Sequence, residues 1–366
     1  MKELFLALVR LGVGAVRDAE LSDSANRVDW AQMKALAERQ GLSAVVLDGI
    51  DRVQEFKGLR VQDSIPQMLR LEWIGEVLQG ENTYAKQSKT AGELASLFHF
   101  NYIKTYVLKG AVIAECYPRA NHRVSADMDC YLMPVKGSFD AWDLGNQLVA
   151  AKGYDVSTSF YKNSCFYLPG LTVENHRFMT PFRGNKRMEK FERLLQGMMH
   201  SEELNAKDAV MEGTYLYRPP VLVTALFIVE HAYSHFLHEG LTWRMVLDWV
   251  LFSRKHKTEI DWAEFDKRID EFGFRKFYDS YQRLGQYLIG EVQECSSLSV
   301  QDKRMLADVW APLDLHETTE GVKGKIALAG NTWRARWKYR LFTDMNWIQA
   351  LWIQAKGVLF IKKPTL

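Results

Sequence analysis

The chain has 366 residues, 47% hydrophobic and 25% charged, with a formal net charge of +2. This is ordinary globular composition at a length that accommodates more than one domain, and it excludes a largely disordered chain. The near-neutral balance supplies no long-range field for a polyanion, so nucleic acid is not favoured as a partner.

From Met1 to about Phe100 the apolar spacing is helical. Met1 to Val16 reads as a helix and not as a signal peptide, because Lys2, Glu3 and Arg10 interrupt it and no small-residue cleavage site follows. Trp30 to Ala37 repeats at helical spacing, with Asp29 placed as its cap. The Gly12-Val13-Gly14 run has no preceding strand, so a dinucleotide fingerprint is rejected. Between about Tyr102 and Phe178 the character changes to β-rich runs, at Thr105–Leu108, Met128–Met133, Ser164–Leu168 and Leu171–Phe178, with a helical stretch over Asp140–Lys152. The Leu168-Pro169-Gly170-Leu171 turn predicts an antiparallel hairpin. From Lys186 helices return: Pro219-Pro220 opens a long apolar helix through His238, Gly240 closes it, and Leu241-Thr242-Trp243 starts the next. No segment reaches the roughly 18 uncharged apolar residues of a membrane span. Asn346–Ala355 is amphipathic, with core packing as its expected role and a membrane-surface or partner contact as the second reading. Cys116, Cys130, Cys165 and Cys295 lack Cys-x-x-Cys spacing, which argues against a zinc ribbon or disulfide scaffold and predicts a reducing, cytoplasmic location. The expected architecture is α+β: a helical region over 1–100, a small mixed β-sheet core over 101–185 and a helical region over 186–366.

Three pieces of the β-rich segment carry chemistry. Val107-Leu108-Lys109-Gly110-Ala111 reads as a strand that passes through a glycine into a helix over Val112–Cys116, a junction that aims backbone N–H groups at an anion. It is not a P-loop, since the Gly-Lys-Ser/Thr is absent. Asp127-Met128-Asp129 places two carboxylates on one face of the next strand, with Cα atoms roughly 6.6 Å apart. Two acids so close repel one another, and Mg²⁺ between them relieves the repulsion. Thr172-Val173-Glu174-Asn175-His176 puts Glu174 and His176 on one face of a further strand, so Glu174 supplies a third acid. Three such carboxylates hold two Mg²⁺ ions about 4 Å apart, the clamp for an in-line phosphoryl displacement.

These residues resemble the polymerase-β-like nucleotidyltransferase superfamily, which has a glycine turn, an acid-x-acid strand and a third acid on a neighbouring strand. More closely, the chain is similar to the bacterial uncharacterised nucleotidyltransferase family, through Leu108-Lys109-Gly110, Tyr117, Arg123, Asp127-Met128-Asp129 and Glu174-Asn175-His176. Asp29-Trp30, Leu36-Ala37 and Gly41 upstream, and His231-Ala232-Tyr233-Ser234-His235 with Leu247-Asp248-Trp249 downstream, extend the resemblance to about Lys276. The resemblance implies a Mg²⁺-dependent transfer of a nucleoside monophosphate from an NTP, with ATP the expected one and Mn²⁺ the alternative metal, to an unidentified hydroxyl or phosphate acceptor. It makes Asp127 and Asp129 metal ligands and Glu174 a ligand or general base. Lys109 and Arg123 neutralise the triphosphate, and Gly110, Ser125 and His176 complete the nucleotide side of the site. Ala111 stands where the wider superfamily has serine or glycine, and the gap to Asp127 is longer, so Ser125 or the amides of Gly110 and Ala111 replace the serine contact.

Two other readings use the same residues. One is a nucleotide-binding regulatory module of this fold without turnover, suggested by Ala111 and the long gap; the other is a two-metal phosphohydrolase with water as nucleophile. His231 and His235, at i and i+4 beside Glu230, lack the His-Glu-x-x-His pattern of a zinc helix, so core or interhelical hydrogen bonding is expected of them before nucleotide contact. Cys130 faces away from the acids, Trp243 and Trp249 pack, and Asp248 caps or pairs.

Overall fold

The computed structural model describes residues 1–16, 28–57, 65–200, 210–292, 295–311, 330 and 333–360. Its centre is a six-stranded mixed sheet with strands β1 (Ile103–Val107), β2 (Asp127–Pro134), β3 (Asp155–Ser157), β4 (Asn163–Leu168), β5 (Leu171–His176) and β6 (Leu216–Tyr217), in the order β3-β4-β5-β2-β1-β6. β4 and β5 form the antiparallel hairpin expected at Pro169-Gly170, β2 runs parallel to β5 and antiparallel to β1, and β6 adds a parallel edge beside β1. The fold is the α+β arrangement expected, with β6 contributed by a pair of residues too short to carry a period-two pattern.

Helices surround the sheet. In chain order they are α1 (Lys2–Gly12), α2 (Trp30–Arg39), α3 (Ser43–Lys57), α4 (Gln67–His99), α5 (Ala111–Ala114), α6 (Ala141–Ala151), α7 (Lys186–His200), α8 (Val221–His238), α9 (Trp243–Lys255), α10 (Trp262–Glu271), α11 (Arg275–Leu288), α12 (Val300–Trp310), α13 (Arg336–Phe342) and α14 (Trp347–Phe360). Asp29 caps α2 as expected, its Oδ1 accepting from the Gln32 amide at 3.0 Å. Asp140 caps α6 in the same way, through the Asp143 amide. α5 is a single turn, shorter than the helix predicted there, so its dipole adds little and backbone amides are what the junction offers an anion.

Strand alternation sorts the sheet into two faces. Met128, Cys130, Val173 and Asn175 point to a buried layer formed with α4 and α6, in which Asn175 Nδ2 and Ser164 Oγ both donate to Asn146 Oδ1, at 3.1 and 2.6 Å. Asp127, Asp129, Glu174 and His176 point to the other side, where the Phe227 ring of α8 stands edge-on to His176 at 6.5 Å. Among the described residues α8 alone is long and apolar enough to cross a membrane, yet most of it is buried as the central helix of the C-terminal part. Its C-terminal end is tied by Lys338 of α13, fully buried, which donates to the Phe236 carbonyl at 2.7 Å and to Asp308 of α12 at 2.8 Å. α14 buries Ala350 and leaves Ile348 and Trp352 exposed.

The N-terminal helices matter to the site through a close crossing. A Cβ added to Gly12 of α1 would meet the Val45 carbonyl oxygen of α3 at 2.0 Å, and one added to Gly49 of α3 would meet the Leu8 carbonyl oxygen of α1 at 2.0 Å. Each helix therefore lays backbone against a glycine of the other, and this fixes α3, which carries Asp48 toward the sheet. Gly12→Ala and Gly49→Ala should each destabilise the protein by about 1–3 kcal/mol through overpacking. A urea denaturation midpoint unchanged by both substitutions would show that the crossing opens without cost.

Candidate functional site

Gly110 ends the β1 junction with φ +57°, a left-handed conformation that disfavours any residue with a Cβ. The turn behind it is closed by Ala114 N to Gly110 O at 2.9 Å and Val112 N to Lys109 O at 3.3 Å. Leu108 N donates to the Asp129 carbonyl at 3.0 Å, which lays the turn against the start of β2. Lys109 can then reach over the sheet, and its Nζ lies 3.0 Å from Asp129 Oδ2 and 3.1 Å from His231 Nε2.

Asp129, 2% exposed, is the centre of the acid cluster. Its register partner on β5 is Glu174, and His176 follows one pleat later. His176 Nε2 lies 3.0 Å from Asp129 Oδ1 and 3.4 Å from Glu174 Oε2, while Nδ1 faces the Phe178 carbonyl at 3.2 Å. Ligand atoms of Asp129, Glu174 and His176 lie within 4.8 Å of one another, the one such group among the described residues. Asp127 shares the face one pleat earlier, half-buried, and stands outside that group.

The electrostatics separate the two aspartates. Burial, then the neighbouring Asp129 charge, pushes the Asp127 carboxyl up. Burial also opposes charge on Asp129, but Lys109 and His176 outweigh it and hold that carboxyl well below its usual range. The His176 hydrogen bond pulls Glu174 down against its burial. Burial and then the Lys109 charge hold His231 well below the ordinary imidazole value, so its ring is neutral and Nε2 accepts from the Lys109 ammonium.

The donor set fits a divalent cation. Asp129 Oδ2 is buried and accepts no well-directed hydrogen bond from the described residues, although the Lys109 ammonium is in ion contact with it. Two carboxylates and an imidazole on adjacent strands supply oxygen and nitrogen ligands. His176 Nε2 donates to the carboxylates in the absence of a cation; were it to ligate one, Nδ1–H would be held by the Phe178 carbonyl, the usual orienting contact of a ligating histidine.

Of the residues assigned to the triphosphate, Arg123 is committed to another partner, whereas Ser125 stays beside the Gly110 turn. Arg123 is buried, and its fork is committed to Asp248 of α9 through Nε to Oδ1 and Nη2 to Oδ2, both 2.8 Å, with Nη1 3.4 Å from the Gly110 carbonyl. Tyr117 donates to the same Asp248 Oδ1 at 2.7 Å. Burial works against Asp248, but Arg123 prevails and lowers its carboxyl. Arg123 thus braces the glycine turn and presents no free guanidinium. The Ser125 hydroxyl donates to the Asp127 carbonyl at 2.8 Å and holds the loop in front of the acids.

The sequence reading missed two cations. Arg244 of α9 donates to the Val124 carbonyl at 2.9 Å, its charge acts on Asp127, and no carboxylate of the described residues pairs with it. Lys162, just before β4, acts on Glu174. Arg244 sits one residue after Trp243 in the stretch read as packing, and a helical period there would have put it on a different face.

Behind the cluster a second polar knot fixes the loop to the helices. His122 Nδ1 lies 2.7 Å from Asp48 of α3 and Nε2 2.8 Å from Glu81 of α4. Burial works against the cation, but the two carboxylates win and raise its pKa above 6.5.

A family model described as uncharacterised nucleotidyltransferase matches residues 26–290. No curated protein and no solved structure matches the chain significantly.

Removing Asp248 leaves a buried guanidinium without a counter-charge, so Asp248→Ala should cost about 3–5 kcal/mol. Replacing both partners, as Arg123→Met/Asp248→Leu, should recover much of that loss in a double-mutant cycle; equal and additive losses would mean that the pair is not coupled. For His122, the raised folded pKa means that its contribution is complete below about pH 6.5 and fades as pH rises through the folded value. The gap in urea midpoint between wild type and His122→Gln should therefore shrink from about pH 6 to pH 9. A gap that widens over that range would contradict the assignment.

Proposed function

The chain belongs to the uncharacterised nucleotidyltransferase family, and from that premise we propose that it transfers a nucleoside monophosphate from an NTP, ATP in the first instance, to a hydroxyl or phosphate acceptor, releasing pyrophosphate. The observation that carries this reading is the meeting of the glycine turn with the acid cluster, where Lys109 Nζ stands 3.0 Å from Asp129. In this reading Asp127, Asp129 and Glu174 hold Mg²⁺ or Mn²⁺, with His176 as a further donor. The bound cation would supply charge neutralisation on the phosphates and activation of the attacking oxygen.

The chain's own residues have separate tasks. The amides of Gly110 and Ala111 face the triphosphate. Lys109, beside Asp129 at the end of the glycine turn, would place its charge on a phosphate oxygen. Arg244 and Lys162 fill the place first given to Arg123, because neither is tied into a buried pair. An acceptor oxygen bonds to the α-phosphorus as the bond to the bridging oxygen breaks, pyrophosphate leaves with the electron pair, and Glu174 takes the acceptor's proton. Asp127, with its raised carboxyl at the mouth of the cluster, ionises fully as positive charge arrives.

The test is incubation with each α-labelled NTP and Mg²⁺ or Mn²⁺, reading pyrophosphate and label in an acceptor. Asp129→Asn and Glu174→Gln should each lower transfer by ~100-fold or more, and chelation should abolish it. Release of inorganic phosphate with no labelled acceptor would replace this reading by the phosphohydrolase. Nucleotide binding indifferent to metal and to Asp129 would replace it by the regulatory module.

A further inference from the structure

A cavity of about 370 Å³ lies against α8, bounded by the β3–β4 loop, the segment that leaves β5, and residues of α13 and α14, and α8 is the element it shares with the acid cluster. Its walls are aromatic, with Tyr161, Tyr233, Phe272 and Phe274 among them, and that volume suits one small molecule. Two of its polar groups have hydrogen-bonding capacity that the described residues leave unused. Glu230 is 3% exposed and makes no hydrogen bond or ion pair with any described residue. Arg183 lies over the Tyr161 ring at 5.5 Å with its Nε buried and unbonded. A carboxyl and a guanidinium thus line one cavity without satisfying each other.

An unpaired buried carboxyl is expensive, and burial pushes Glu230 up to about 8. A ligand that brings an ammonium to Glu230 and an oxyanion to Arg183 cancels both deficits, and an apolar body fits the walls between them. The cavity is coupled to the acid cluster in two ways. Glu230 and His231 are consecutive on α8, and His231 is the residue in contact with Lys109. The Lys162 charge acts on both Glu174 and Glu230.

We propose that this cavity is the acceptor pocket, taking a small zwitterion whose ammonium pairs with Glu230, whose carboxylate or phosphate meets Arg183, and whose nucleophilic oxygen is offered to the α-phosphorus. The inference rests on the transferase reading, and the atoms move as in the step above, with pyrophosphate as leaving group and the proton, where the oxygen carries one, passing to Glu174.

Calorimetry on the full chain without NTP tests binding, with L-tyrosine as the carboxylate probe and O-phosphoethanolamine as the phosphate probe. Tyramine and 3-(4-hydroxyphenyl)propionate remove the oxyanion and the ammonium from the first; ethanolamine and ethyl phosphate do so for the second. At least one zwitterion should bind saturably, with each trimmed analogue weaker by about tenfold or more. Glu230→Gln, which is nearly isosteric with the neutral carboxyl and so keeps the fold, should erase the preference for the ammonium, and Arg183→Met the preference for the oxyanion. Failure of both zwitterions to bind, or unchanged binding by Glu230→Gln, overturns the pocket. With labelled NTP added, transfer to another acceptor in the absence of zwitterion binding sinks the pocket and leaves the transferase reading standing. Glu230-dependent binding with no NTP turnover removes the acceptor assignment together with the transferase reading.

Discussion

Asp248 lies in a helix far along the chain from the glycine turn, yet its carboxylate takes two nitrogens of Arg123 and the hydroxyl of Tyr117 inside the protein. Burying a charge pair costs several kcal/mol per ion in desolvation, and good geometry is what offsets it. The planar guanidinium supplies that geometry, since its two parallel N–H bonds fix the plane as well as the distance. The third nitrogen then reaches the Gly110 carbonyl, so a contact between α9 and the loop before β2 is transmitted to the backbone of the turn. The brace joins the backbone hydrogen bonds that close the turn at Gly110 and lay Leu108 against Asp129. An apolar pair in its place would pack as well, but it would not specify which way the turn faces.

The legible parts of the site are those fixed by local period. Strand alternation alone puts Asp127, Asp129, Glu174 and His176 on one side and Cys130 with Asn175 on the other, and the register of β2 on β5 keeps that assignment. The Asp29 cap and the Pro169-Gly170 hairpin are equally local. What could not be read is what lies across the space. Arg123 stands in a polar stretch, Asn121-His122-Arg123, where it is expected at the triphosphate, and nothing in the spacing says that α9 covers it. The strand period sets His176 on the face of Glu174, and only the approach of β5 to β2 brings its Nε2 to Asp129. β6 has two residues and no pattern to find.

α8 illustrates how one helix serves two compartments. Successive residues are turned by about 100°, so His231 meets Lys109 while Glu230 enters the neighbouring cavity. Such a helix must be apolar nearly all round, because almost every face is covered. That is why its composition imitates a membrane span, and why its few polar residues stand out as chemistry.

The sheet ends in a three-residue strand on one side and a two-residue strand on the other. Long unpaired edges invite a strand from another chain, and natural proteins blunt them by shortening. Here the strands that carry the acids, β2 and β5, are interior, each with a neighbouring strand on both sides. A stray chain arriving in extended form finds only two or three residues to zip onto, so strand addition, with the register slip it brings, is kept away from the strands whose one-residue shift would turn every acid into the core.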